Sequence, residues 1–256
     1  MSAKETLKTI GKKITPAYIT KVALLTGISF ILYMFVKFKL PFMFPSFLEM
    51  QFSELPAILA GFSIGPVAGT LVIVLKCLLK FPFTSTAFVG ELTDMALGIL
   101  FVLPASLIYH RQKSKKSAII GLAVGTAVAT LGAIILNRFV SVPFYVQFFF
   151  HGNFDVIVNM CKPLYPSVTS DSFYAYYLLA AVLPFNILRL ALVSFVTFLV
   201  YKSLSKALHW EIKKNTPATE ERPAEDDLIL SEDDVLPEDE IYVDESEDSS
   251  DDLTDD

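Results

Sequence analysis

Several runs in this chain are too apolar and too long to belong to a protein that folds in water. They are Val22 to Val36, Leu55 to Leu79, Thr86 to Tyr109, Ala118 to Phe150 and Phe173 to Tyr201, in a chain of 256 residues that is 53% hydrophobic. An apolar stretch of about 20 residues crosses a bilayer as a helix. Inside hydrocarbon, only a helix or a closed barrel satisfies every backbone donor and acceptor. The sequence therefore predicts an all-α integral membrane protein, multi-pass, in the cell membrane. No removable signal is evident, because the first apolar run follows a segment carrying Lys4, Lys8, Lys12, Lys13 and Lys21 and ends in no small-residue cleavage site.

Charge sets the predicted number of crossings. Three basic clusters must lie in the cytoplasm by the positive-inside rule: the N-terminal lysines, Arg111 to Lys116, and Lys202 to Lys214. Five spans would leave the middle cluster outside. The run from Leu55 to Leu79 contains Gly65-Pro66, which ends one helix and favours the start of another. Splitting the run there gives spans of roughly Ser53 to Ile64 and Pro66 to Phe81, and every basic cluster then falls inside. The expectation is six transmembrane helices with cytoplasmic N and C termini. Lys37 to Phe52, Pro82 to Ser85 and His151 to Ser172 would then lie outside. The first of these carries Pro41, Phe42, Met43, Phe44, Phe47, Leu48 and Met50, too apolar for a solvated loop. It is expected to lie in the interface or to fold over a pocket.

The net charge of −6 combines two opposite bodies. Residues 217–256 hold 19 acids against Arg222 alone, a charge of −18, while residues 1–216 carry +12. Such an acidic, weakly apolar tail cannot offset its ordering entropy and is read as disordered. The predicted organisation is a basic cytoplasmic segment over 1–20, a six-helix membrane domain over 21–210 and an acidic cytoplasmic tail over 211–256. Cys77 and Cys161 are too isolated for a disulfide framework or metal cluster and are read as packing residues.

The informative residues are the polar ones that hydrocarbon must tolerate. Asn186 and Arg189 are three residues apart in the last apolar run, so they share a helix face. An intramembrane arginine needs a partner, water or a ligand. The topology places Asn137, Arg138 and Tyr145 toward the outer part of the fifth span, and Glu91 and Asp94 near the outer start of the fourth. With the apolar first loop above them, these groups suit a small amphipathic ligand. Each has a structural alternative. Asparagines tie helices together, Glu91 and Asp94 favour a helix N-terminus, Arg138 snorkels, and Arg189 pairs with Glu91. Ala23 and Gly27, one turn apart in the first span, permit close approach by another helix, from this chain or a partner.

The sequence contains no G-x-x-x-x-G-K-[ST] phosphate loop, no H-E-x-x-H and no G-x-S-x-G, and His110, His151 and His209 are far apart. No catalytic or metal-binding residue is nominated, and energy for uphill movement must come from another protein. The chain reads as a binding subunit rather than an enzyme. A membrane scaffold recruiting basic partners through the acidic tail is the reading from a different class.

Several motifs carry a resemblance: Phe52-Ser53-Glu54-Leu55-Pro56-Ala57, Gly61-Phe62, Gly65-Pro66-Val67-Ala68-Gly69, Lys76, Phe88-Val89-Gly90-Glu91, Asn137, Pro143-Phe144-Tyr145 and Pro184-Phe185-Asn186. In this order, across residues 15–208, the chain resembles the substrate-binding S components of energy-coupling factor (ECF) vitamin transporters, specifically the riboflavin-binding branch. The resemblance implies riboflavin as transported ligand, bound at the extracellular face under the first loop, with no cofactor. It implies a membrane-embedded coupling subunit and two cytoplasmic ATPase subunits as partners, with the lipid bilayer and no nucleic acid. It also implies that Asn137, Asn186 and Arg189 contact the vitamin, where the family often has lysine in place of the arginine. Glu91, Tyr145, Leu48 and Met50 complete the expected site, and Ala23 and Gly27 are the expected coupling contact. An S component for thiamine or folate is the nearest alternative, since the architecture is shared while the pocket varies.

Overall fold

The structure, a computed structural model, describes residues 15–214. The basic segment before residue 15 and the acidic tail after residue 214 lie outside the described residues. Helix α1, Pro16–Phe35, starts where the Thr15 side chain accepts from the Tyr18 backbone N–H and proline occupies the first turn. Two short antiparallel strands follow, β1 Lys37–Lys39 and β2 Glu49–Gln51, with Phe38 opposite Met50. Helices α2, Glu54–Ser63, and α3, Pro66–Lys80, come next. Helix α4 is Val89–Arg111 and α5 is Lys115–Leu136, begun by a Ser114 cap.

Beyond α5 the chain stays helical but changes pitch. A π-helical turn covers Asn137–Ser141 before α6, Val142–Phe148. After α7, Phe154–Cys161, and the short α8, Phe173–Ala175, a second π segment covers Tyr176–Val182 and leads into α9, Leu183–Lys214. Five helical stretches are long and apolar enough to cross a membrane: Pro16–Phe35, Pro66–Phe83, Val89–Arg111, Lys115–Phe148 and Phe173–Val200. Helix α2 is apolar but has only 10 residues. Its separation from α3 falls where Gly65-Pro66 predicts it. Gly65 adopts φ 146°, which a side chain would strain, and Pro66 opens the next helix.

The expectation of an all-α protein needs one correction, the hairpin of β1 and β2. Lys37 and Lys39 both lie close to Glu49, at 3.0 and 3.4 Å, so opposite charges across the strands help to hold a pairing only three residues long.

The distribution of side chains is that of a membrane protein. Leu24, Leu131, Leu179 and Phe195 are among the large apolar residues exposed on the outside, while Glu54 and Lys76 are fully buried. Lipid is as apolar as leucine, so helix association depends on close packing rather than on the hydrophobic effect. Gly121 and Gly125 show how. A Cβ at either position would lie 2.6 or 2.5 Å from the carbonyl oxygen of Ala105 or Phe101, so glycine lets α5 lie directly against the backbone of α4.

Candidate ligand site

Four charged side chains from four helices meet in the interior. Arg189 of α9 donates through Nη2 to Glu54 of α2 and, at 3.0 Å, to Asp94 of α4. Lys76 of α3 donates to the other oxygen of Asp94 at 3.0 Å and to the Ser53 hydroxyl at 2.6 Å, and lies 3.6 Å from Glu54. All four residues are less than a tenth exposed. Two cations balance two carboxylates, which is the condition under which charges persist in a low-dielectric interior. The hairpin joins in through Gln51, whose Nε2 donates to Asp94 at 2.6 Å.

This overturns the pairing of Arg189 with Glu91. The Glu91 carboxylate instead accepts from Thr84 at 2.9 Å and Thr86 at 2.7 Å, in the loop that leads into α4. That loop turns sharply, with Ala87 and Phe88 both at positive φ. Asp94, one turn further along α4, is the residue that faces Arg189.

Asn137 and Asn186 lie at or just beyond the π segments. The Asn137 amide donates to Ala133 O at 2.8 Å, and its carbonyl oxygen accepts from the Tyr177 hydroxyl at 2.8 Å. The Asn186 amide donates to Val182 O at 2.8 Å. A π turn inserts an extra residue and re-aims the side chains beside it, and such turns recur at functional sites. Here Asn137 begins one segment, and Tyr177 and Val182 belong to the other. Tyr145, on α6, is half-buried and interacts with Thr86, which brings it beside the Glu91 group. Thr93 and Ser141, 3.3 Å apart, tie α4 to the first π turn.

The apolar first loop folds inward over these groups. Met50 and Phe44 are buried against Phe185, the neighbour of Asn186, with the Phe44 and Phe185 rings 5.3 Å apart and edge to face. Phe47 lies 5.7 Å from the Tyr177 ring, and Leu48 packs with both groups of apolar residues. Leu48 and Met50 therefore belong to a strap that reaches toward both asparagines. Ala23 and Gly27 lie elsewhere, on an exposed face of α1, and a Cβ at Gly27 would meet nothing within 4 Å. A groove of about 470 Å³ between α5 and α9, lined by residues such as Leu122, Thr126 and Phe198, includes none of the nominated ligand residues.

The comparisons with known proteins fall on this same region. A family model described as the substrate-specific component of ECF transporters matches residues 17–201. The chain belongs to that family. Riboflavin transporter RibU of Staphylococcus aureus (strain TCH60) is 35% identical over 187 residues, covering 73% of this chain and 89% of the relative. Riboflavin transporter FmnP of Bacillus subtilis (strain 168) is 30% identical over 186 residues, covering 72% and 89%. A solved structure described as the S component of a bacterial ECF transporter matches with a TM-score of 0.56 at 33% identity, over 75% of this chain and 96% of that one. The chain is thus a multi-pass membrane protein of a transport family, with the fold of an S component.

Within that fold, sequence reasoning singled out Arg189 but missed Glu54, Lys76 and Gln51 as members of its cluster, and Tyr177 as the partner of Asn137. Lys76 carried a usable signal, since it interrupts an apolar run as Arg189 does. Glu54 and Gln51 carried none, because both sit at the end of a loop where polar residues are ordinary.

Proposed function

We propose that this S component captures riboflavin at the extracellular face and delivers it to the cytoplasm together with a membrane-embedded coupling subunit and two cytoplasmic ATPases. The observation that carries the reading is the pair of relatives named as riboflavin transporters, 35% and 30% identical over 187 and 186 residues. Six crossings are inferred, with α2 counted as a short span and both termini cytoplasmic. This topology puts the strap outside and every basic cluster inside.

The chemistry of the residues supports the same ligand. The pyrimidine edge of a flavin alternates donors and acceptors, and an asparagine amide offers one of each kind of atom. Asn137 and Asn186 are assigned to that edge. Leu48 and Met50 supply apolar contact for the rest of the ring, and Tyr145 lies beside it. Arg189 and Glu91 are assigned to the ribityl hydroxyls. Ala23 and Gly27 are assigned to the coupling subunit, since small residues on an exposed face let another helix approach closely.

Purified full-length protein decides the matter. It should carry a yellow flavin after growth in riboflavin-rich medium and bind riboflavin stoichiometrically in a fluorescence titration, while thiamine should leave the signal unchanged. Saturable thiamine binding without flavin binding would transfer the chain to another vitamin.

A further inference from the structure

We propose that Glu54 and Arg189 together read a single hydroxyl of the ligand, and that Glu54 and Asp94 close the site to phosphorylated forms of that ligand. The proposal rests on the riboflavin reading above. It starts from two orphaned atoms. Among the described residues, Glu54 Oε2 and Arg189 Nε have no hydrogen-bond partner, although their residues are only 1% and 7% exposed. A buried unpaired acceptor and a buried unpaired donor are each costly. They belong to two groups in direct contact, because the other carboxylate oxygen of Glu54 accepts from Nη2 of the same guanidinium.

A hydroxyl is at once a donor and an acceptor. The terminal alcohol of the polyol, placed against this pair, would donate to Glu54 Oε2 and accept from Arg189 Nε, satisfying both atoms with no change in charge. A phosphate monoester presents only acceptor oxygens when doubly ionised. It would serve Arg189 Nε while setting negative oxygens against the Glu54 carboxylate.

The charge balance points the same way. Lys76 and Arg189 are two adjacent cations, but each is already held by carboxylates, through Asp94 at 3.0 Å in both cases and through Glu54. The four side chains sum to zero, so a phosphate would bring about −1.5 to −2 of charge with nothing to offset it. The cations nearer the strap lie outside this buried group. Lys37 and Lys39 pair with Glu49, and Arg138 lies 3.6 Å over the Tyr174 ring. A neutral polyol suits this interior, and its phosphate ester does not.

The experiment titrates purified full-length protein with riboflavin, riboflavin 5′-phosphate and lumiflavin, which lacks the polyol. Wild type should bind riboflavin at least about tenfold more tightly than either of the others. Asp94→Asn and Glu54→Gln each raise the cluster to +1 and should narrow the preference for riboflavin over its phosphate by about tenfold. Arg189→Lys keeps the cluster neutral but removes Nε. It should retain the preference against phosphate while riboflavin affinity falls toward that of lumiflavin. Wild type binding the phosphate as tightly as riboflavin overturns the proposal even if the carboxylate variants do not fold. An unchanged ratio in folded Asp94→Asn and Glu54→Gln also overturns it. Absence of any flavin binding by wild type refutes the riboflavin reading instead, so the two failures are distinct.

Discussion

Lys76 is the sharpest place to test whether the buried charges act as one unit. Its side chain is fully buried and holds Ser53 at 2.6 Å and Asp94 at 3.0 Å, with Glu54 at 3.6 Å. Lys76→Met keeps the length and the apolar stem but leaves two carboxylates facing Arg189 alone. Breaking a buried pair from one side costs about 3–5 kcal/mol, because the surviving charge keeps its desolvation penalty. Adding Glu54→Gln restores neutrality, leaving Asp94 with Arg189. The double variant should therefore recover about 1–3 kcal/mol, the coupling expected between charged neighbours that share a network. Recovery should stop short of wild type, since the bonds to Ser53 and Asp94 stay lost, at roughly 1 kcal/mol or more for each. Ligand-free protein in detergent, unfolded thermally and followed by circular dichroism, ranks the four species. The predicted order is wild type, then Glu54→Gln and the double variant, with Lys76→Met least stable. A double variant less stable than Lys76→Met by the full cost of Glu54→Gln would show that the charges do not compensate one another, and the cluster would lose its standing as a unit.

Other outcomes can be checked with similar material. Asn186→Ala should weaken riboflavin binding tenfold or more, about 1.4 kcal/mol, and an unchanged titration would remove Asn186 from the site. Gly27→Leu should leave folding and binding intact, because a Cβ there meets nothing within 4 Å, while uptake by cells carrying the coupling subunit collapses. Gly125→Leu forces a side chain onto the Phe101 carbonyl and should lower the unfolding temperature, by an overpacking cost of about 1–3 kcal/mol. For the strap, burial pushes the Glu49 carboxyl up, but the hydrogen bond and charge of Lys37, aided by Lys39, outweigh it and hold the group below its ordinary 4.5. A depressed carboxyl stabilises the folded state above its unfolded value, and that contribution disappears as pH falls through the folded one. Riboflavin should therefore dissociate faster in acid, and Glu49→Gln should flatten that dependence in a stopped-flow release assay.

What could be read from the sequence depended on whether the signal was local. The break at Gly65-Pro66 was legible because both residues act on the backbone where they stand. Arg189 was legible as an anomaly, a charge in an apolar helix. Its partners were not, since Glu54 lies 135 residues away and Asp94 lies 95 away, and periodicity says nothing about which distant carboxylate a guanidinium meets. Glu91, in the first turn of α4, is instead served by Thr84 and Thr86 of the loop that folds back beside it. The π segments at Asn137 and Tyr176 left no trace either, because a one-residue shift in pitch leaves no mark in runs whose apolar residues lie on every side of the helix. Helix α7 and the hairpin were hidden for a different reason. Eight and three residues are short enough for tertiary contacts to decide, and the opposed charges of Lys37, Lys39 and Glu49 gain meaning only once the chain has turned back.

The short helix and the charge cluster also explain one another. Ten residues rise about 15 Å, half the hydrocarbon thickness, so the proposed six-span topology requires the chain before α2 to reach membrane depth without helical hydrogen bonds. Such backbone survives only where protein satisfies it. Ser53, fully buried at the head of α2, is where this happens: its carbonyl accepts from the Ser29 hydroxyl, and its side chain accepts from Lys76. Lys76 thus holds the Ser53 side chain on one side and balances Asp94 and Glu54 on the other. Glu54, in the first turn of α2, gains from the helix dipole. The descent also carries Gln51 down to Asp94, so the strap is tied to the ion cluster through the short segment whose irregularity the cluster stabilises.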